Sequence, residues 1–226
     1  MLWLVTIGLF AGCGERGAPA EADLYTLSES VNFDAVTQLG PHEYSAEMSW
    51  EYGEPVTRTT TESVEILWGD WDNFQTTRRR DGRVVAQTKI VGGRPYVRMS
   101  ADRYRTPSDG ELYRVELRHG WNFWGRILDP FRGQLSVGDP SDELWEERVA
   151  SGYELSHTLN EELPSVEVGS ARLVVDNGTA VRLFGEFEGS YFDNGDQSKP
   201  VSVKLEFRRT NIGHMPTIVA PPVTVE

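Results

Sequence analysis

The chain has 226 residues, a net charge of −13, four histidines and one cysteine. That length suits one sizeable core. The lone cysteine excludes an intramolecular disulfide and a thiolate metal cluster, the few histidines supply imidazole metal chemistry poorly, and the acidic balance argues against nucleic acid as a partner.

Residues 2–10 form an apolar run that closes on Ala11, Gly12 and Cys13. A spanning helix needs about 20 apolar residues and the core of an export signal roughly 7 to 15, so the run suits export rather than a permanent span. An apolar segment ending on small residues and then cysteine resembles a bacterial lipoprotein signal. The resemblance implies that residues 1–12 are removed, that Cys13 is acylated, and that the mature protein is held at a membrane by this lipid anchor. A single acyl chain binds membranes marginally, at about 0.8 kcal/mol per buried methylene, so firm anchoring rests on the several chains such lipoproteins carry. Gly14 stands where lipoproteins retained in the inner membrane often have Asp, which by the same resemblance implies the outer membrane, facing the periplasm. Residues 13–23 contain Gly, Ala, Pro and Glu without periodicity and suit a flexible tether. Residues 24–226 are expected to form a single domain.

A short helix is predicted near residues 32–39, with Asn32 as cap, Phe33, Val36 and Leu39 on one side, and Gly40-Pro41 as the stop. The period then changes to two. Tyr44, Ala46, Met48, Trp50 and Tyr52 alternate with polar residues, as in a strand with one buried face. Gly53-Glu54-Pro55 breaks this strand, Val64, Ile66 and Trp68 continue the pattern in the next, and Gly69-Asp70 is read as a turn. Residues 71–80 lead to Asp81-Gly82, a favoured hairpin turn, and residues 83–91 return to Gly92-Gly93 and a further strand from Arg94. Successive strands with short turns predict an antiparallel meander.

Residues 111–117 fit helix or strand. In residues 120–129, Trp121, Trp124 and Leu128, with Phe131 just beyond, recur at steps of three and four and predict a short helix stopped by Pro130. Asp139-Pro140, followed by Leu144, Trp145 and several acidic residues, reads as the start of a second helix. Strand patterns resume through Tyr153, Leu155 and His157. A hairpin is predicted at Asp176-Asn177-Gly178-Thr179, followed by a long strand through Val181, Leu183, Gly185, Phe187, Gly189 and Tyr191, whose glycines suit sharp curvature or a close backbone neighbour. Val201, Val203, Leu205 and Phe207 mark another strand, and residues 217–219 with Pro221-Pro222 close the chain.

Charge is distributed unevenly. Residues 77–132 hold 13 Lys plus Arg against 6 Asp plus Glu, or +7, leaving 9 − 29 = −20 for the rest. Such a basic middle could meet phosphate-bearing head groups, or simply pair with the acidic flanks from the wet face of strands.

The order of these elements resembles the LolA/LppX-like group of periplasmic lipoproteins and lipid carriers. It rests on the lipoprotein signal, the meander through Asp81-Gly82 and residues 91–98, the insert around residues 127–130, the hairpin at Asp176-Asn177-Gly178 and the terminal residues 215–221. The resemblance implies a mainly β fold: a curved antiparallel half-barrel sheet with short helices inserted over an apolar concave face. It also implies a non-catalytic carrier or sensor that binds an acyl chain or other hydrophobic ligand. Trp121, Phe123, Trp124, Leu128 and Phe131 are the candidate ligand-binding residues. The alternative is a structural or protein-interaction lipoprotein of the envelope with a filled core and a protein partner.

Catalysis finds little support. Ser156 and His157 are neighbours in a strand and point to opposite faces, and no G-x-S-x-G elbow occurs. Asp193-Asn194-Gly195-Asp196 lacks the ligand spacing of a calcium loop. No cofactor or metal is expected.

Overall fold

The structure, a computed structural model, describes residues 33–99, 103–107, 131, 135–157, 166–192 and 199–222. They comprise one helix, α1 (Phe33–Leu39), and eleven strands: β1 (His42–Tyr52), β2 (Arg58–Asp70), β3 (Asn73–Arg80), β4 (Arg83–Val91), β5 (Arg94–Met99), β6 (Leu135–Val137), β7 (Ser141–Trp145), β8 (Arg148–His157), β9 (Val166–Asp176), β10 (Arg182–Phe192) and β11 (Pro200–Thr210). They pair antiparallel in the order β5-β4-β3-β2-β1-β11-β10-β9-β8-β6, with β7 also on β8. The sheet is open and curved and does not close into a barrel. β1 therefore sits at its centre, between β2 and β11.

Alternation in the sequence becomes sidedness in the sheet. Ala46 lies opposite both Val64 and Phe207, and Met48 opposite Leu205, which in turn faces Phe187. One face is thus continuously apolar across four strands. Met48, Val64, Ile66, Trp68, Phe74 and Phe187 are all buried to 2% exposure or less, and each such side chain stabilises the fold by about 1.5–3 kcal/mol. Helix α1 contributes Val36 and Leu39 to the same cluster. Its predicted stop holds, with Gly40 at φ +87°. The opposite face carries Ser45, Glu47, Ser63, Glu65, Lys204 and Glu206.

The predicted meander is present. Asp81-Gly82 and Gly92-Gly93 occupy two-residue turns with all four residues at positive φ, the geometry that matches the twist of paired strands. Asp81 Oδ1 also accepts the Thr61 amide at 2.9 Å.

Two expectations are corrected. Gly69-Asp70 is not a turn: β2 runs through both, and the turn comes at Trp71 and Asp72. Gly69 is there for space, because a Cβ would lie 2.6 Å from Met215 Sδ and 2.9 Å from the Asn73 carbonyl. Asp70 instead organises the turn, its Oδ1 accepting the Asp72 amide at 2.8 Å.

The helix predicted from Asp139-Pro140 is a hairpin. β7 turns through Glu146 and Glu147, at φ 46° and 68°, into β8. β6 and β7 share the outer edge of β8, one at each end, and Asp139-Pro140 is the interruption between them. Proline is tolerated on an edge strand because no ladder amide is needed there, so Asp-Pro fits this break as well as a helix cap. Trp145 fixes the hairpin, stacking on Phe184 at 5.5 Å and donating its indole N–H to the Arg209 carbonyl at 2.7 Å.

The terminal residues 217–219 join no strand. They pass over β4, where Lys89 Nζ donates to the Val219 carbonyl at 3.2 Å. The helix expected over residues 120–129 lies outside the described residues, as do residues 111–117 and 193–198.

Candidate functional site

Of the residues singled out from sequence, Cys13, Trp121, Phe123, Trp124 and Leu128 lie outside the described residues, and Phe131 lies within them. Phe131 is fully buried on the apolar face of β10. Its ring meets Phe187 edge-on at 4.7 Å and Tyr191 at 6.0 Å. Gly189 makes room for it: a Cβ there would be 2.9 Å from Phe131 Cε1 and 2.8 Å from the Glu167 carbonyl. At Gly189 the close backbone neighbour expected is the Glu167 carbonyl, and the Phe131 ring fills the space beside it.

Next to β1 the apolar face carries charge that sequence reasoning missed. Arg182 and Arg209 are buried, Arg209 lying over the Tyr44 ring at 4.8 Å and Arg182 over Phe207 at 5.9 Å. Arg209 donates Nη1–H to the Arg182 carbonyl, while Arg182 Nη1 is buried without a hydrogen bond. Burial lowers both guanidinium pKa values to about 10, so both stay charged at neutral pH, and burial raises the Tyr44 phenol to about 12. His42 adjoins them; burial and then Arg209 lower its pKa to about 3, so it is neutral. Its Nδ1 lies 2.8 Å from the Gly40 carbonyl. A signal was available, since Arg209 continues the odd-numbered buried series Val201 to Phe207. Arg182 was harder to see, because a register shift between Arg182 and Phe184 alters its phase.

The polar face holds an open groove of about 580 Å³ across the central strands. Its lining includes Glu47, Glu65, Glu186, Glu188 and Glu206 against Lys204 and Arg208. Glu206 stands opposite Glu47 on one side and Glu186 on the other. Lys204 pairs with Glu188 at 3.1 Å, and Arg208 with Glu206. Among the described residues no group of three or more His, Cys, Asp or Glu is arranged to hold a metal ion. Ser156 Oγ lies 2.7 Å from Ser136 Oγ across the β6–β8 pair.

Toward the β5 edge the same face turns basic. Lys89 lies 5.6 Å and Arg98 5.1 Å from the centre of the Tyr104 ring, whose hydroxyl donates to Gln87. Burial and then the Arg98 charge lower the Lys89 pKa.

No family model matches the chain, and no curated protein matches it. Solved structures do. The LolA superfamily protein NE2245 from Nitrosomonas europaea is 9% identical, with 88% of this chain and 96% of that one covered and a TM-score of 0.27. A DUF1329 family protein from Desulfovibrio piger is 10% identical, with 85% and 94% covered and a TM-score of 0.27. The Pseudomonas aeruginosa MucA/MucB complex is 14% identical, with 87% of this chain and 58% of that one covered and a TM-score of 0.33. The sheet itself, strand by strand, is what establishes the fold.

Proposed function

We propose that this chain is a non-catalytic envelope lipoprotein, anchored through acylated Cys13 to the outer membrane and facing the periplasm, that holds an acyl chain or similar hydrophobic group on the apolar face of its sheet. The observation that carries the reading is the seating of Phe131. The one described residue of the predicted ligand-binding set packs on the apolar face of an unclosed sheet, against Phe187 and Tyr191. Trp121, Phe123, Trp124 and Leu128 are the residues proposed to complete the lining. No enzyme chemistry is needed for such a role, because retention of an acyl chain rests on burial at about 0.8 kcal/mol per methylene.

A second reading is supported by the polar groove. Its charged lining offers hydrogen-bonding and ionic contacts rather than a hydrophobic pocket, which suits an envelope protein partner and a core that is simply filled.

One experiment separates the two. The full chain is exported in a bacterial host, purified, and analysed by native mass spectrometry and organic extraction. Stoichiometric co-purified lipid, lost in Trp124→Asp/Leu128→Asp with the sheet still folded by circular dichroism, supports the carrier. An apo mass that stays clean after lipid challenge overturns it in favour of the interaction module.

A further inference from the structure

Among the described residues, the basic middle of the chain pairs its charges unevenly. Toward the centre of the sheet, cations meet carboxylates: Arg79 pairs with Glu65 at 2.9 Å and Arg80 with Glu62 at 2.5 Å. At the β5 edge they do not. Lys89 on β4, Arg94 and Arg98 on β5, and Arg103 and Arg105 beside β5 make no ion pair among the described residues. Arg105 joins this edge through a backbone bridge with Val97, its N–H and C=O each bonded at 2.9 Å. Five cations therefore line one margin of a protein whose net charge is −13.

Aromatic rings are interleaved with them. Lys89 and Arg98 flank Tyr104, and Arg94 lies 5.8 Å from the centre of Tyr96. Arg98 Nε is buried without a hydrogen bond, and Arg94, Arg103 and Arg105 are exposed.

We propose that this β4–β5 margin is a docking surface for anionic phospholipid head groups. Guanidinium forks match phosphate oxygens in a bidentate way, and tyrosine suits the boundary between apolar and wet surroundings. The polar face also sets an orientation, because its acidic groove is repelled by the same surface that attracts the margin. The proposal rests on the envelope reading for its compartment alone; contact is made by side chains and does not require the anchor.

The test uses the full chain carrying Cys13→Ser, which cannot be acylated, in sedimentation with phosphatidylcholine vesicles with and without phosphatidylglycerol. Binding is expected only with phosphatidylglycerol, and is expected to vanish near 1 M salt, where the screening length falls to about 3 Å. Arg94→Gln/Arg103→Gln/Arg105→Gln removes three exposed charges and should weaken binding roughly a hundredfold, at about fivefold per cation. Arg208→Gln, which removes an already paired cation, should leave it unchanged, and thermal melting checks that both variants stay folded. Equal binding to the neutral vesicles, no binding to either, or a triple variant that binds like its parent overturns the proposal. Full competition by inorganic phosphate at matched concentration also overturns it, leaving a simple anion site. Acyl retention is read separately by extraction, so a chain that carries no lipid yet binds these vesicles removes the carrier reading and leaves the docking surface standing.

Discussion

The ring of Phe131 occupies the space that a side chain on Gly189 would need, with Cε1 only 2.9 Å from the ideal Cβ position. The opposing Glu167 carbonyl, at 2.8 Å, is backbone and cannot rotate away. Gly189→Ala should therefore destabilise the protein by about 1–3 kcal/mol, the range for overpacking a filled site. Gly169→Ala on β9, where the nearest atom is 3.5 Å away, should change stability by less than about 0.5 kcal/mol. Urea unfolding of both variants checks the contrast, and equal midpoints would remove Phe131 from its assigned seat.

How far the fold was legible follows from which rule each segment obeyed. β1, β11 and β2 as far as Trp68 were read correctly because each obeys a strict two-residue period, and the Asp81-Gly82 and Gly92-Gly93 turns because their residues accept positive φ. The β7–β8 hairpin was misread for the complementary reason. Its turn residues, Glu146 and Glu147, sit at positive φ without the Asn or Gly that usually marks such a turn, and Asp139-Pro140 resembles a helix start. Among the candidate residues, Phe131 was singled out because spacing placed it with Trp124 and Leu128. Arg182 was not, because a register shift in β10 is a tertiary event with no local sequence mark.

That hairpin supplies a prediction of opposite signs at adjacent residues. Glu147 at φ 68° carries a Cβ in the left-handed region, so Glu147→Gly should stabilise by about 0.5–1 kcal/mol. The Glu146 carboxylate accepts the amides of Asn211 and Ile212, each at 3.1 Å, tying the turn to the chain beyond β11. Glu146→Ala should therefore destabilise by about 0.5–1.5 kcal/mol. Thermal melts of the two single variants decide the matter: shifts of the same sign would contradict the hairpin geometry.

Glu47 and Glu206 stand opposite one another across β1 and β11, and Arg208 pairs with Glu206. Like charges directly opposed on a sheet cost a few tenths of a kcal/mol up to about 1 kcal/mol. Glu47→Gln leaves the Arg208 pair intact and should raise the urea midpoint at low ionic strength. The gain should shrink in high salt, where exposed charges are screened. A gain that is independent of salt would assign the effect to packing.

His42 should give the protein an acid-sensitive step. Burial, followed by the Arg209 charge, lowers its pKa to about 3, against a hydrogen bond to the Gly40 carbonyl that raises it. In the unfolded chain an imidazole titrates near 6.5, so between those values the unfolded state binds a proton that the folded state does not. Stability therefore rises with pH through this window. The contribution of His42 is complete above about pH 6.5 and is lost progressively as the pH falls toward 3, with an upper limit of about 5 kcal/mol at 1.36 kcal/mol per unit. Asp176 acts lower. Burial alone would raise its carboxyl, but hydrogen bonds from Arg148 and Thr179 outweigh this and leave it below the usual value of 3.8, so its contribution disappears only under more acid conditions. Urea midpoints measured between pH 7 and pH 4, in units where the slope reports proton uptake, should decline for the parent chain. His42→Gln has no titrating group at position 42 and should reduce that slope whatever its absolute stability. A variant whose midpoint falls as steeply as the parent's would show that the proton taken up on unfolding goes elsewhere.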